Sequence, residues 1–304
     1  MALNRLIVLA GPTGTGKSDA ALDIAELLDG EIVNADSMQL YRGMDIGTAK
    51  LPPDARRGIP HHLLDVLDIS RRASVAAYQQ QARQHVEDIL ARGRTPLLVG
   101  GSGLYIRAVV DRIDFPGTDP LVRAELEAEL ADVGTAPLFE RLTRLDPAAA
   151  AAIEPANGRR LVRALEVMRV TGQPFTATLP ISGPPLYDAL LVCLDRPSQV
   201  LDERLDRRVT LMVGAGWLDE VRTLDAAGLR HGVTASRALG YPQMLAVLDG
   251  EVDLATAMAE TTRLTRRFVR RQRSWFGRDH RMHRLDGGLP QLAAAVAGLA
   301  GLSG

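Results

Sequence analysis

The sequence predicts an α/β fold: a P-loop NTPase-like parallel sheet flanked by helices, with a helical insertion domain. Three observations predict it. Short apolar runs that close on glycine or an acid alternate with stretches of helical spacing. The glycine-rich segment Gly11–Ser18 joins the first such run to the first helix. The strand pattern then stops near Phe115-Pro116-Gly117 and resumes only at Ala189.

Leu6–Ala10 is apolar throughout and ends at Gly11, which suits a buried parallel strand. Ser18–Leu28 carries Ala21, Ile24, Ala25 and Leu28 at helical spacing. Glu31–Ala35 is the second strand and leads into Asp36. Ser74–Leu90 sets Val75, Tyr78, Ala82, Val86 and Ile89 on one face of an amphipathic helix. Pro96–Val99 is the third strand, closed by Gly100-Gly101. From Asp119 to about Thr171 the pattern is helical, and Gly172–Pro185 reads as a loop. Ala189–Leu194 is a strand again, so the helical stretch interrupts one sheet. After Pro197 the chain reads as mostly helical through Val269 and beyond, with a weak helix or frayed tail after Gly287. The domains expected are therefore a core of residues 1–115 and 188–304 and an insertion of residues 116–187.

The 304 residues include 46% apolar side chains, ordinary for a globular protein, and no apolar run approaches the length of a membrane span. The segment before Gly11 is too short for a secretion signal. Cys193 is the only cysteine, which rules out an internal disulfide and fits a reducing cytoplasm. The net charge of −1 points to no partner, but the choice of cation is informative: of 36 basic residues only Lys17 and Lys50 are lysine. An ammonium is a compact point charge and a guanidinium a planar fork, so a lysine kept in an arginine-rich chain suggests a tight site.

Gly11-Pro12-Thr13-Gly14-Thr15-Gly16-Lys17-Ser18 matches the G-x-x-x-x-G-K-[ST] pattern between strand and helix where that pattern belongs. Glycines let successive N–H groups turn inward, and the helix N-terminus adds its positive end. Lys17 reaches a terminal phosphate and the Ser18 hydroxyl holds Mg²⁺, so a diphosphate or triphosphate is expected here. Asp36 follows the second strand, and ligands of open parallel sheets bind beyond the carboxyl ends of strands. A carboxylate there serves a metal through water or takes a proton from a nucleophile; a turn aspartate is the ordinary alternative. Asp195, followed at once by Arg196-Pro197, reads as a turn acid. His61-His62 lacks a third ligand at metal spacing and reads as packing or hydrogen bonding. The loop alone also fits a small-molecule kinase or a non-catalytic RNA-binding NTPase.

Several strings together are more specific. Gly11–Ser18, Asp36-Ser37-Met38-Gln39-Leu40-Tyr41, Gly43–Lys50, Pro60–Asp65, Gly100–Tyr105, Arg160–Val167 and Gly240-Tyr241-Pro242-Gln243 occur in the order seen in tRNA dimethylallyltransferases, and from Leu6 to Phe276 the chain resembles that family. The resemblance implies prenyl transfer without ATP hydrolysis. Gly11–Ser18 would hold dimethylallyl diphosphate with Mg²⁺, and the amine of an adenine beside the anticodon would attack the first prenyl carbon. By the same resemblance Asp36 is the base, Arg208 stabilises the leaving diphosphate, and Ser102 stands where the family more often has threonine. The family also implies a tunnel with separate mouths for adenine and prenyl diphosphate.

On the RNA side, Arg263–Arg278 contains no acid, and Arg263, Arg266, Arg267, Arg270 and Arg271 fall on adjacent helical positions, which suits phosphate contacts; Trp275 or Phe276 would stack or pack. The resemblance adds Arg123, Arg159, Arg160 and Arg163 of the insertion against the anticodon arm, and assigns Asp36, Ser37, Met38, Gln39, Ser102, Arg237, Gly240, Tyr241, Gln243 and Arg271 to tRNA. A cytoplasmic monomer with tRNA and the prenyl diphosphate as partners, and no membrane, completes the expectation.

Overall fold

The computed structural model describes residues 3–113, 115–175 and 183–301. In chain order the elements begin with β1 (Ile7–Ala10), α1 (Lys17–Leu28), β2 (Gly30–Asn34), β3 (His61–His62), α2 (Val75–Ala91), β4 (Thr95–Gly100) and α3 (Gly103–Val110). Four helices follow: α4 (Pro120–Val133), α5 (Thr135–Leu145), α6 (Pro147–Ala152) and α7 (Gly158–Thr171). The chain then forms β5 (Leu190–Asp195), α8 (Ser198–Gly214), α9 (Trp217–Ala226), α10 (Tyr241–Leu248), α11 (Leu254–Gly277), β6 (His283–Asp286) and α12 (Leu292–Leu299). Two compact units result, residues 1–111 with 184–304, and residues 112–183.

In the larger unit six parallel strands lie in the order β3-β2-β4-β1-β5-β6. The four interior strands are largely apolar because both faces of the sheet are covered there. Alternate residues divide between two cores. Val8, Val33, Leu98 and Leu191 pack under Tyr78, Ala82 and Val86 of α2 and Ile106 and Val109 of α3. Ile7, Leu9, Ile32, Leu97 and Val192 pack under Ala21, Ile24 and Leu28 of α1 and Leu292 and Val296 of α12. A third core, with Trp217, Tyr241 and Met244, joins the helices after β5 to Tyr41 and Met44 of the segment after β2.

Two strands escaped the sequence reading. β3 is two residues long, and β6 falls where the chain read as helical. Both are edge strands: His283-Arg284-Leu285-Asp286 has no apolar run because one side meets β5 and the rest faces solvent. The Ala/Gly-rich end is a helix whose Leu292 and Val296 join the core. The loop expected at Gly172–Pro185 lies partly outside the described residues, which omit 176–182.

The smaller unit has its own core of Leu126, Leu138, Leu142, Ile153, Leu161 and Leu165. Three of its helices, α4, α6 and α7, start at side-chain caps: Asp119 accepts from the Leu121 and Val122 N–H groups, Asp146 from Ala149, and Asn157 from Arg160. Pro120 and Pro147 occupy first helical positions, where no N–H is needed. Glu166 is fully buried and is paired by Arg123 at 2.7 Å and Arg163 at 2.9 Å. Burial pushes its carboxyl upward, but those two guanidinium groups outweigh burial and hold it below the usual range.

Lys50 is the structural counterpart of the lysine argument. Its side chain is 3% exposed, and Nζ donates to Tyr41 O at 2.8 Å, Asp45 Oδ1 at 2.6 Å and Asp65 Oδ1 at 2.5 Å. Three acceptors around one point match the three donors of an ammonium, not the planar fork of a guanidinium. Lys50→Arg is therefore expected to destabilise the fold by about 1–3 kcal/mol, read as a lower urea midpoint at unchanged slope.

Candidate active site

Three neighbouring strands deliver the site. Gly11–Ser18 follows β1, Asp36 follows β2 and Ser102 follows β4, so all three emerge at the carboxyl edge of the sheet. The turns are stitched together: Ala35 N–H donates to Val99 O at 2.8 Å, Ser102 N–H to Ala35 O at 3.4 Å, and Ser37 N–H to Ser102 Oγ at 3.4 Å.

The glycine-rich loop is held by its carbonyls. Pro12 O accepts from Thr15 Oγ1 at 2.9 Å and from Lys17 Nζ at 2.7 Å. Gly14 O accepts from Arg204 Nε at 2.7 Å, and Thr15 O from Arg196 Nε at 3.2 Å. With these carbonyls engaged, the N–H groups that follow Gly14 and Thr15 are left for an anion at the start of α1. Gly11 cannot be replaced: its φ is +147°, and a Cβ there would strike the Leu194 carbonyl of β5. Gln272 of α11 fixes the loop from the other side. Its Oε1 accepts from Thr13 N–H at 3.0 Å and its Nε2 donates to Gly101 O at 2.9 Å, joining the phosphate loop to the turn that carries Ser102.

Asp36 sits in a turn that aims it. Its N–H donates to Asn34 Oδ1 at 2.9 Å, while its own Oδ1 accepts from Met38 N–H at 3.0 Å. Asn34 is buried and anchored in turn to Leu63 O at 3.0 Å. The carboxylate acts on both cations of the site. Burial pushes the Lys17 ammonium down to about 8, against the pull of Asp36 and with a further push from Arg208. Burial also lowers Arg208, again opposed by Asp36.

A cavity of about 280 Å³ is lined by Thr13, Asp36, Ser37, Met38, Ser102, Arg208, Arg237, Tyr241 and Arg271 among the residues singled out from sequence. The rest of its wall was not anticipated: Leu205, Val209, Met212, Trp217 and Phe268 make it apolar, and Thr261 and Thr265 add hydroxyls. These come from helix faces whose spacing signals burial and says nothing about a ligand. A second cavity of about 630 Å³ is lined by Gly14, Ile46, Arg204, Arg207, Leu211 and others. Arg208 and Met212 line both cavities.

Other expected residues lie elsewhere. Gln39 donates to Thr48 O at 3.2 Å and Ala49 O at 3.3 Å, bracing the segment after β2. Gln243 accepts from Gly240 N–H at 3.0 Å and caps α10. Arg123, Arg159, Arg160 and Arg163 belong to the smaller unit, Arg159 and Arg160 on its surface. The basic stripe of α11 divides: Arg263 meets Glu260, Arg266 meets Asp206 and Arg273 meets Asp195, whereas Arg267, Arg270 and Arg271 are exposed. Acids from outside the stripe neutralise part of it, which its own sequence does not reveal. Arg271 lies over the Phe268 ring at 5.7 Å. Phe276 is buried, while Trp275 packs on Gly103, where a Cβ would collide with its indole.

A protein-family model described as IPP transferase matches residues 39–279. A tRNA dimethylallyltransferase from Saccharopolyspora erythraea is 63% identical over 295 residues, covering 97% of this chain and 95% of that protein. One from Streptomyces coelicolor is 56% identical over 298 residues, covering 96% and 95%. The crystal structure of a tRNA isopentenylpyrophosphate transferase from Bacillus halodurans is similar with a TM-score of 0.72 and 37% identity, over 98% of this chain and 97% of that one. A eukaryotic dimethylallyltransferase captured acting on tRNA gives a TM-score of 0.82 at 28% identity, over 97% and 77%.

Because the Lys17 ammonium lies near 8, its charge is present below that pH and lost above it. Affinity for an alkyl diphosphate should fall as pH rises through about 8, approaching tenfold per unit. Isothermal titration across that range should show the fall, and Lys17→Met should bind weakly throughout with a flattened profile.

Proposed function

This chain belongs to the IPP transferase family, and on that premise we propose that it transfers the dimethylallyl group of dimethylallyl diphosphate to N6 of the adenine 3′-adjacent to the anticodon in tRNA, releasing diphosphate. The observation that carries the reading is one apolar cavity lined by Asp36, Ser102, Arg208 and Thr13 of the phosphate loop. A cation-rich end, an apolar middle and a carboxylate are what a prenyl diphosphate meeting an amine requires.

In this reading the phosphate loop and Lys17 grip the diphosphate. The adenine N6 attacks the first prenyl carbon, the carbon–oxygen bond breaks, and the diphosphate leaves with the bonding electrons. Asp36 takes the proton that N6 loses. Arg208, Lys17 and the loop N–H groups face the charge that grows on the leaving oxygen, in a setting where burial strengthens each interaction. An aromatic amine is a weak nucleophile, so alignment counts as much as the base; Ser102, tied to the Asp36 turn through Ser37, serves that alignment. The apolar wall keeps water from competing for the prenyl carbon.

Mg²⁺ fits these residues as a companion of the substrate. Among the described residues no group of three His, Cys, Asp or Glu side chains forms a metal cage, and Mg²⁺ is commonly held by few protein ligands together with substrate phosphates. Ser18 would hold it with the diphosphate oxygens, and the ion would share their charge.

The two cavities that meet at Arg208 support separate approaches, the prenyl diphosphate past Arg204 and Arg207 and the adenine past Arg237 and Arg271. The anticodon arm would lie on Arg123, Arg159, Arg160 and Arg163 of the insertion, residues 116–187, with Ser37, Met38 and Tyr241 near the extruded base and Gln39, Gly240 and Gln243 bracing the segments that carry them. Extrusion costs a few kcal/mol, least in an unpaired loop. The enzyme is read as a monomer working in the cytoplasm. No helix among the described residues is long and apolar enough to cross a membrane.

Incubating the protein with tRNA, dimethylallyl diphosphate and Mg²⁺, then analysing tRNA nucleosides by mass spectrometry, should reveal N6-dimethylallyladenosine; unmodified nucleosides would reject the reading. Asp36→Ala should retain tRNA on a filter while its turnover falls by about 10²–10⁴, and full turnover would remove Asp36 as the base.

A further inference from the structure

One carboxylate outside the expected set accepts four hydrogen bonds. Glu220 lies in the first turn of α9. Its Oε2 accepts from Asp45 N–H at 2.9 Å and Ile46 N–H at 2.6 Å, and its Oε1 from Gly47 N–H at 3.2 Å and the Tyr241 hydroxyl at 2.7 Å. Three consecutive backbone N–H groups converging on one carboxylate form an anion-binding nest, here filled by the chain's own side chain. Gly47, Thr48 and Tyr241 line the smaller cavity, and Glu220 stands behind them.

The nest explains why this wall is glycine at position 47. A Cβ there would strike the Trp217 indole and the Tyr241 ring, so the backbone lies flat against two aromatic side chains of the cavity. Those rings meet edge to face at 5.9 Å. Thr48 O and Ala49 O then receive Gln39, and Lys50 closes the far end of the segment. The Tyr241 hydroxyl, buried and pushed upward in pKa by burial and by the Glu220 charge, is a donor committed to Glu220.

We propose that Glu220 is a positioning residue for the acceptor base: through Gly47 N–H and the Tyr241 hydroxyl it fixes two walls of the smaller cavity at once, and so sets affinity for tRNA more than for the prenyl diphosphate, whose approach Asp45 and Ile46 also border. The inference rests on the reading of this cavity as the acceptor site. The phosphate loop makes none of these four contacts, so the two substrates should respond differently to loss of the charge.

The test compares Glu220→Gln, Tyr241→Phe and the double variant with the intact protein in steady-state transfer assays, varying tRNA and dimethylallyl diphosphate in turn. Glutamine keeps the shape but presents an NH₂ group to a nest of donors. Glu220→Gln should raise KM for tRNA about tenfold, the loss of a charge-assisted hydrogen bond, with KM for the diphosphate within about twofold of the intact protein on the same ground. Tyr241→Phe should shift KM for tRNA in the same direction, and the double variant should be no worse than Glu220→Gln, because the contact that Tyr241→Phe removes is one of those Glu220 makes. An unchanged KM for tRNA, a matching rise in both KM values, or additive losses would overturn the role. Should Glu220→Gln not fold, Tyr241→Phe decides by itself, since it removes one oxygen and keeps the ring. The intact protein separates the two failures: if it transfers no dimethylallyl group, the acceptor reading falls and the positioning role with it.

Discussion

Backbone amides grip an anion only when their carbonyl neighbours are turned away and held there. That constraint governs the phosphate loop, and much of the molecule serves it. Pro12 O is taken by Thr15 and Lys17, Gly14 O by Arg204, Thr15 O by Arg196, and the Thr13 amide by Gln272. Arg204 belongs to α8, Arg196 to the turn after β5, and Gln272 to α11. Helices far along the chain thus preorganise eight residues near its start. Preorganised dipoles need no reorientation as charge develops, which makes them effective in a reaction whose main demand is departure of a diphosphate.

The same helices divide the cavity by chemistry. Asp36 and Arg208 line it together and both act on Lys17 in the adjoining loop, while Val209, Met212, Trp217 and Phe268 line the remainder with apolar surface. Low polarity lengthens the reach of each charge, so the Asp36 carboxylate favours the charged form of both cations. Burial would otherwise strip Lys17 of its proton well below the range of a free lysine, and the Asp36 charge opposes that loss. A single carboxylate therefore steadies both cations beside the phosphate loop.

Much of this was legible before any coordinates. Gly11–Ser18, Asp36 and the four interior strands follow from glycine placement and from apolar runs, signals that are local in sequence. The edges were not legible: β3 has two residues and β6 has no apolar run, since an edge strand need not be buried. Gln272 and Glu220 were missed for another reason. Each is an ordinary polar residue on an amphipathic helix, and only the approach of Thr13, or of the Asp45–Gly47 amides, makes it special. Arg263, Arg266 and Arg273 looked like part of one basic surface because their acids, Glu260, Asp206 and Asp195, lie outside the stripe. Sequence reports what a residue can do nearby; long-range partners decide what it does.

Arg196 joins the phosphate loop not only to β5 but to the carbonyl of Gly287, just beyond β6, at 2.5 Å. The glycine-rich segment is thus made long before two of the groups that brace it. A nascent chain that has passed α8 but not reached residues 272–287 carries Arg196 and Arg204 for the loop carbonyls, but neither the Gln272 side chain that takes the Thr13 amide nor the Gly287 carbonyl that holds Arg196. Contacts between residues so distant in sequence form slowly, so the loop reaches its final bracing only once α11 and β6 are in place.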